Sequence, residues 1–163
     1  TRMVPAMILV IPMFLLLRNF RLLDSHLGLI IVYTTFLLPY VIWMLKNFFE
    51  QVPYALEAAA RMDGCSRLGA LLRVLIPVTA PGIVATAIFA FIGAWNEFLF
   101  GLILSSNFAV PVTVRLSSLV STSFHSDNSL IAAAGMLTLI PPVLLVFILN
   151  RFIIRGLVEG IKF

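Results

Sequence analysis

Apolar positions along this chain come in four long blocks with polar stretches between them. The blocks cover residues 3–17, 27–45, a run of about 82–104 opened by Pro81 and Gly82, and 130–150. Lipid offers backbone groups no hydrogen-bond partner, so an apolar block of about 18 residues or more reads as a membrane-crossing helix. The second block meets that length, with Pro39 as an expected kink and Trp43 near an interface. The first is shorter: at 1.5 Å per residue it covers roughly 22 Å of a hydrocarbon core about 30 Å thick. The last carries Pro141 and Pro142 at its middle, where a bend is expected. Residues 105–129 are rich in Ser, Thr and Asn and read as an aqueous loop, with 110–114 a short extended piece inside it. The fold class that follows is all-α, a polytopic helical membrane protein with about four spans in a single domain, 1–163.

The loop 46–77 lies between the second and third blocks, and its segment 57–77 is both charged and patterned. Pro53 suits the first turn of a helix, where a missing N–H costs nothing. Leu56, Glu57, Ala58, Ala59, Ala60, Arg61 and Met62 are good helix formers. Gly64 then reads as a left-handed stop, and Ser66 as the cap of a second helix. In that helix Leu68, Leu71, Leu72 and Leu75 recur at i, i+3, i+4, i+7, which makes one apolar stripe, with Arg67 and Arg73 off it. Pro77 is expected to end the pattern. The result is a short helix–turn–helix at a membrane surface, placed to meet a soluble partner.

Composition agrees with a membrane protein. Of 163 residues, 61% are hydrophobic and 11% charged, and mean hydropathy is +1.11; an ordinary soluble domain is about 25% charged. The formal charge of +4 is spread thinly around the apolar blocks. A nucleic-acid binder would gather it on one polar face with interleaved aromatics, so no nucleic acid is expected. The basic residues instead indicate topology. With four spans, Arg2, Lys46, Arg61, Arg67, Arg73, Arg151, Arg155 and Lys162 fall on one side, and Arg18, Arg21 and Arg115 on the other. The positive-inside rule makes the first side cytoplasmic, with loop 46–77 and the C-terminus on it. Cys65 is the one cysteine, so no intrachain disulfide forms. The chain begins without Met, and an N-terminal part of a longer protein is expected to precede it.

Little in the sequence looks catalytic. No phosphate-binding glycine loop is present, so ATP hydrolysis is not expected of this chain. His26 and His125 are isolated, and no metal site is expected from them. Ser66 has no base or orienting partner that can be nominated. Glu97, beside Asn96, stands out because a carboxylate inside an apolar run is costly and tends to face an interior or a cavity. It reads either as lining a solute path or as a structural polar contact.

The segment 57–77, EAAARMDGCSRLGALLRVLIP, resembles the cytoplasmic EAA loop of permease subunits in binding-protein-dependent ABC importers. Gly64, Val74, Ile76 and Pro77 match its pattern in type and spacing. Asp63 with Gly64, and Pro81 with Gly82, resemble the branch that takes up sugars and related solutes. The stretch 95–98, the residues Leu22, Leu23 and Asp24 followed by Gly28, Leu29 and Ile30, and Arg155, Gly156 and Leu157 resemble flanking features of that branch. Counting back six from Gly64, the signature Glu falls on Ala58, and Glu57 stands one position early, about 100° around the helix.

The resemblance implies a permease subunit in a bacterial plasma (inner) membrane, forming part of the path for a sugar or sugar-derived solute. It implies two ABC ATPase subunits, a second permease subunit and an external solute-binding protein as partners, with membrane lipid around it. ATP would be bound by the partner subunits, and no cofactor is expected in this chain. The coupling residues it implies are Glu57, Ala58, Ala59, Asp63, Gly64 and Pro77; Asn96 and Glu97 are candidates for the translocation path. Permeases of this branch have six spans, which fits a missing N-terminal third. Two other classes find little support in the residues. An ion-driven secondary carrier would need midplane ionisable pairs or symmetric broken helices. A membrane enzyme would need a convergent acid, base, nucleophile or metal set.

Overall fold

Fourteen residues of apolar helix, α1 (Ala6–Asn19), open the structure and end in a left-handed turn. The order continues with α2 (His26–Glu50), α3 (Tyr54–Met62), α4 (Arg67–Ala70), a π-turn at Leu71–Leu75, α5 (Ile76–Trp95), α6 (Leu99–Leu104), α7 (Val112–Thr122) and α8 (Asn128–Gly160). This computed structural model describes residues 5–122 and 128–160, with side chains for 5–120 and 129–149. His125 and the side chains of Arg2, Arg151, Arg155 and Lys162, used above to assign sides, lie outside the described residues. The described residues contain helices and no strand, so the protein is all-α.

Three stretches are long and apolar enough to cross a membrane: His26–Glu50, Arg67–Trp95 and Ser129–Leu149. α1 is shorter than these. The most apolar stretch of Ser129–Leu149 has no buried residue, and Met136, Leu137 and Phe147 are largely exposed. Apolar side chains in that position suit contact with lipid.

The chain divides into two units, residues 1–39 with 91–143, and residues 40–90 with 144–163. In the first, Val10 and Leu17 of α1, Leu29 and Val32 of α2, and Phe100 and Leu104 of α6 form a core together with Ala109. The Phe36 and Phe100 rings stack with centroids 4.6 Å apart, which adds about 0.5–1.5 kcal/mol to their burial. Lipid tails are as apolar as these side chains, so dispersion and close fit, more than removal from water, hold such a core. In the second unit, Ala60 of α3 and Ala70 of α4 are buried, small residues that let two short helices approach closely.

Three local expectations differ from what the structure contains. Pro77 does not end the helix, which is continuous from Arg67 to Trp95. The π-turn just before it makes the room: Ile76 N–H bonds back to Leu71 O, five residues earlier, and this wider turn absorbs a ring that would clash in a regular helix. Thr79 Oγ1 also donates to Leu75 O at 2.7 Å. The third apolar block is not one helix either; α5 stops at Trp95 and α6 starts at Leu99. The expected aqueous loop contains α7, which begins at Val112 inside the expected extended piece 110–114. Pro111 O accepts the first helical bonds, from Val114 N at 3.1 Å and Arg115 N at 3.0 Å, and Val114 is buried.

Candidate functional site

The loop between α2 and α5 is built around one turn. Asp63 is the C-cap of α3, and Gly64 follows with φ +87°, a conformation glycine adopts at little cost. Cys65 N–H reaches back to Ala60 O at 3.1 Å, and Gly64 N–H to Arg61 O at 3.1 Å. This pair of bonds is the Schellman arrangement, which satisfies carbonyls that a helix end leaves orphaned. Ser66 Oγ then accepts Gly69 N–H at 3.2 Å and caps α4. One helix is closed and the next opened within four residues, so the angle between them is set by backbone bonds.

Glu57 stands in the first turn of α3 and is half-buried, where a carboxylate complements the positive end of the helix dipole. With Arg67, Leu68, Leu71 and Leu75 it lines a groove of about 460 Å³ between α3 and the helix after the turn. Ala58 is also half-buried, Ala59 is exposed, and Asp63 and Gly64 lie exposed at the turn. Met62, 83% exposed, and Tyr54, 73% exposed, present large apolar side chains outward from α3. Pro77 is removed from this cluster and lies inside the long helix.

Glu97 falls in the gap between α5 and α6. Its Oε1 accepts Phe100 N–H at 2.9 Å and its Oε2 accepts Gly101 N–H at 3.1 Å. The carboxylate therefore caps α6, whose own N-cap residue Phe98 contributes no side-chain bond. Thr113 Oγ1 donates to Glu97 O at 3.0 Å. Glu97 also lines a cavity of about 170 Å³ with Tyr33, Phe36, Leu37, Gly93 and Phe100 among its walls. Glu97 is thus a structural contact, through its cap on α6, that also borders a cavity. Asn96 is exposed and outside that lining.

Asp24, in sequence only one of the flanking features, is a structural centre. It has φ +52°, which Asp tolerates better than most residues. Its carboxylate accepts the backbone N–H groups of Ser106, Asn107, Phe108 and Ala109 at 2.9–3.1 Å. These bonds, the Ser106 amide foremost, hold its carboxyl well below the usual carboxylate range. Beside it Ser25 Oγ accepts Gly28 N–H at 3.0 Å and caps α2. The sequence does signal the cap, as Asp24 and Ser25 precede an apolar block; it carries no signal for a partner loop more than 80 residues away.

Comparison with known proteins bears on the whole of the described chain. The family described as "Binding-protein-dependent transport system inner membrane component" matches residues 1–159. The chain is similar to a trehalose transport system permease protein of Mycobacterium tuberculosis, 39% identical over 97% of this chain and 58% of that protein. It is similar to a sulfoquinovosyl glycerol transport system permease protein of Agrobacterium fabrum, 38% identical over 96% of this chain and 55% of the other. A diacetylchitobiose uptake system permease protein of Streptomyces coelicolor is 33% identical over 98% of this chain and 58% of its own length. The chain thus spans little more than half the length of these three relatives.

Proposed function

The chain belongs to the family of binding-protein-dependent transport system inner membrane components, and on that premise we propose that it is a permease subunit of an ABC importer for a sugar or sugar-derived solute. The sugar class rests on the relatives named above, each described as the permease of a saccharide or glycoside system. The proposed partners are two ATPase subunits, a second permease chain and an external binding protein. Loop 46–77 and the C-terminus face the cytoplasm in this reading.

The observation that carries the coupling role is the rigid elbow at Gly64. Backbone bonds fix the exit from α3, Ser66 fixes the entry to α4, and the helix so begun continues unbroken to Trp95. A short helix seated in an ATPase cleft would act on a membrane helix through a joint that cannot flex freely. Closure of the ATPase pair would displace α3 and tilt the helix that starts at Arg67, switching access to the solute path. Glu57, Ala58, Ala59, Asp63 and Gly64 are the proposed contact segment. Pro77, set behind the π-turn, shapes the helix that is moved. Glu97 is the proposed path residue, with Asn96 next to it at the helix break.

The test has two arms. An enzyme reporter active only outside the cytoplasm, fused within residues 117–128, is expected to be active, and the same reporter within 61–67 inactive; the reverse pattern overturns the orientation and the ATPase docking. Reconstituted alone, this chain is expected neither to bind ATP nor to move solute, whereas the complete complex does both. Uptake driven by an ion gradient with this chain alone would overturn the ABC reading in favour of a secondary carrier.

A further inference from the structure

The cavity beside Glu97 contains a polar imbalance. Tyr33 Oη is buried and makes no hydrogen bond of good geometry among the described residues. The Glu97 carboxylate lies close enough to bear on this hydroxyl as both charge and acceptor, though no hydrogen bond of good geometry joins the two. A buried hydroxyl without a well-formed hydrogen bond is costly, and Phe in its place would avoid that cost if the space were meant to stay dry. Each Glu97 oxygen accepts one amide and retains a further lone pair. One unused donor and unused acceptor capacity therefore line the same space, among Phe36, Leu37 and Phe100.

That pairing has a chemical complement. A sugar hydroxyl both donates and accepts, so a single ring can accept from a phenol and donate to a carboxylate at once, and the O–H to carboxylate bond is among the stronger kinds. Ligand pockets for whole drug-sized molecules run about 300–1,000 Å³. At about 170 Å³, this cavity has the room of one ring at most. Its place at the break between α5 and α6 suits a transport site, because discontinuous helices are where irregular backbone can line a path.

We propose that Tyr33 Oη and the Glu97 carboxylate form a hydroxyl-reading subsite that holds one ring of the transported sugar. The inference rests on the sugar-importer reading and adds to it the residue that discriminates. Tyr33 donates to a ring or hydroxyl oxygen, and Glu97, already held by the amides of α6, accepts from a neighbouring hydroxyl.

The experiment uses the complete importer, with its ATPases, second permease and binding protein, in proteoliposomes. Radiolabelled trehalose, diacetylchitobiose and sulfoquinovosyl glycerol identify a sugar that the parent complex transports, and its monodeoxy analogues are then compared. Tyr33→Phe removes only the oxygen and keeps the ring, and Glu97 is left alone because it also caps α6. The parent is expected to transport one monodeoxy analogue roughly tenfold more slowly than the full sugar, from the loss of a hydrogen bond in a site built to make it. Tyr33→Phe is expected to transport the full sugar at that lower rate and to lose the discrimination. Rates are taken per assembled complex, so a change in yield does not enter. Binding-protein affinity is measured separately and is expected to be unchanged. If Tyr33→Phe keeps both the rate and the discrimination of the parent, the hydroxyl serves only a bound water and the subsite is overturned, with the sugar-importer reading intact. If the parent complex transports no sugar probe, the sugar reading falls and the subsite falls with it.

Discussion

Phe108 N–H donates to both oxygens of the Asp24 carboxylate, at 3.1 Å each, although the two residues lie 84 positions apart in the chain. With the amides of Ser106, Asn107 and Ala109 on the same group, Asp24 sets the path of the chain between α6 and α7. Asp24→Asn replaces two charged acceptors by one neutral one. Faster hydrogen exchange at amides 106–109 is expected in the variant, with the long helices unchanged. The pH dependence has a definite sign. A carboxyl held well below its ordinary value contributes stability that is complete above about pH 4 and is lost only as pH falls through the lower folded value. Exchange at 106–109 in the parent is therefore expected to show no loosening between pH 7 and about pH 4.5, and such loosening would contradict the clamp.

At Gly64 the φ of +87° is combined with open space, since an added Cβ would meet nothing within 4 Å. The penalty for a substitution there is backbone strain alone, about 1–2 kcal/mol for an ordinary residue. Gly64→Val is expected to leave the complex assembled while binding-protein-stimulated ATPase activity and uptake both fall. Gly64→Asn, which visits the left-handed region more readily, is expected to keep most of both. Normal uptake by Gly64→Val would remove the elbow from the mechanism.

Gly82 presents the opposite case. A Cβ built there lies 2.8 Å from Phe48 Cβ and closer still to its ring. Gly82→Ala is expected to destabilise the helix contact by about 1–3 kcal/mol, read as a lowered unfolding temperature of the purified complex. Phe48→Leu in the same chain is expected to recover part of the loss. An additive loss in the double variant would show that the two residues do not press on each other.

Glu57 and Ala58 separate by position on α3. Glu57 lines the groove with Arg67, and among the described residues the ion pair within 4 Å is Lys46 with Glu50, so Glu57 and Arg67 share the groove without a bridge. Glu57→Ala is expected to reduce coupled ATPase activity less than Gly64→Val does. Ala58→Glu places an acid six residues before Gly64 and is expected to preserve or strengthen ATPase association, measured as subunit retained on purification of the complex. Loss of the ATPase in Ala58→Glu would show that the register counted from Gly64 is wrong.

The long helices and the elbow were legible in the chain because each depends on neighbours within a few residues, whereas α7 and the break between α5 and α6 were not. Membrane length follows from runs of apolar residues, the elbow from Gly64 and Ser66, and helix periodicity from the four leucines after it. A left-handed stop and an N-cap are made of bonds no more than five positions long, so sequence alone carries them. What failed locally also has a local-looking cause. Pro77 reads as a terminator until the π-turn ahead of it is seen, and nothing in residues 71–75 announces that turn.

Only the tertiary structure singled out Asp24 and Tyr33 and showed what Glu97 bonds to. Asp24 looks like a second helix cap beside Ser25 until the 106–109 amides are brought to it. Glu97 reads as an expensive charge in an apolar run, and its capping of α6 exists because the helix breaks at residues 96–98. Tyr33 is one more aromatic in α2 until the fold places its hydroxyl beside Glu97 in one cavity. Local bonds repeat with the period of the helix and can be counted along a sequence. Contacts between distant segments depend on the closure of the whole chain, and no residue pattern encodes them singly.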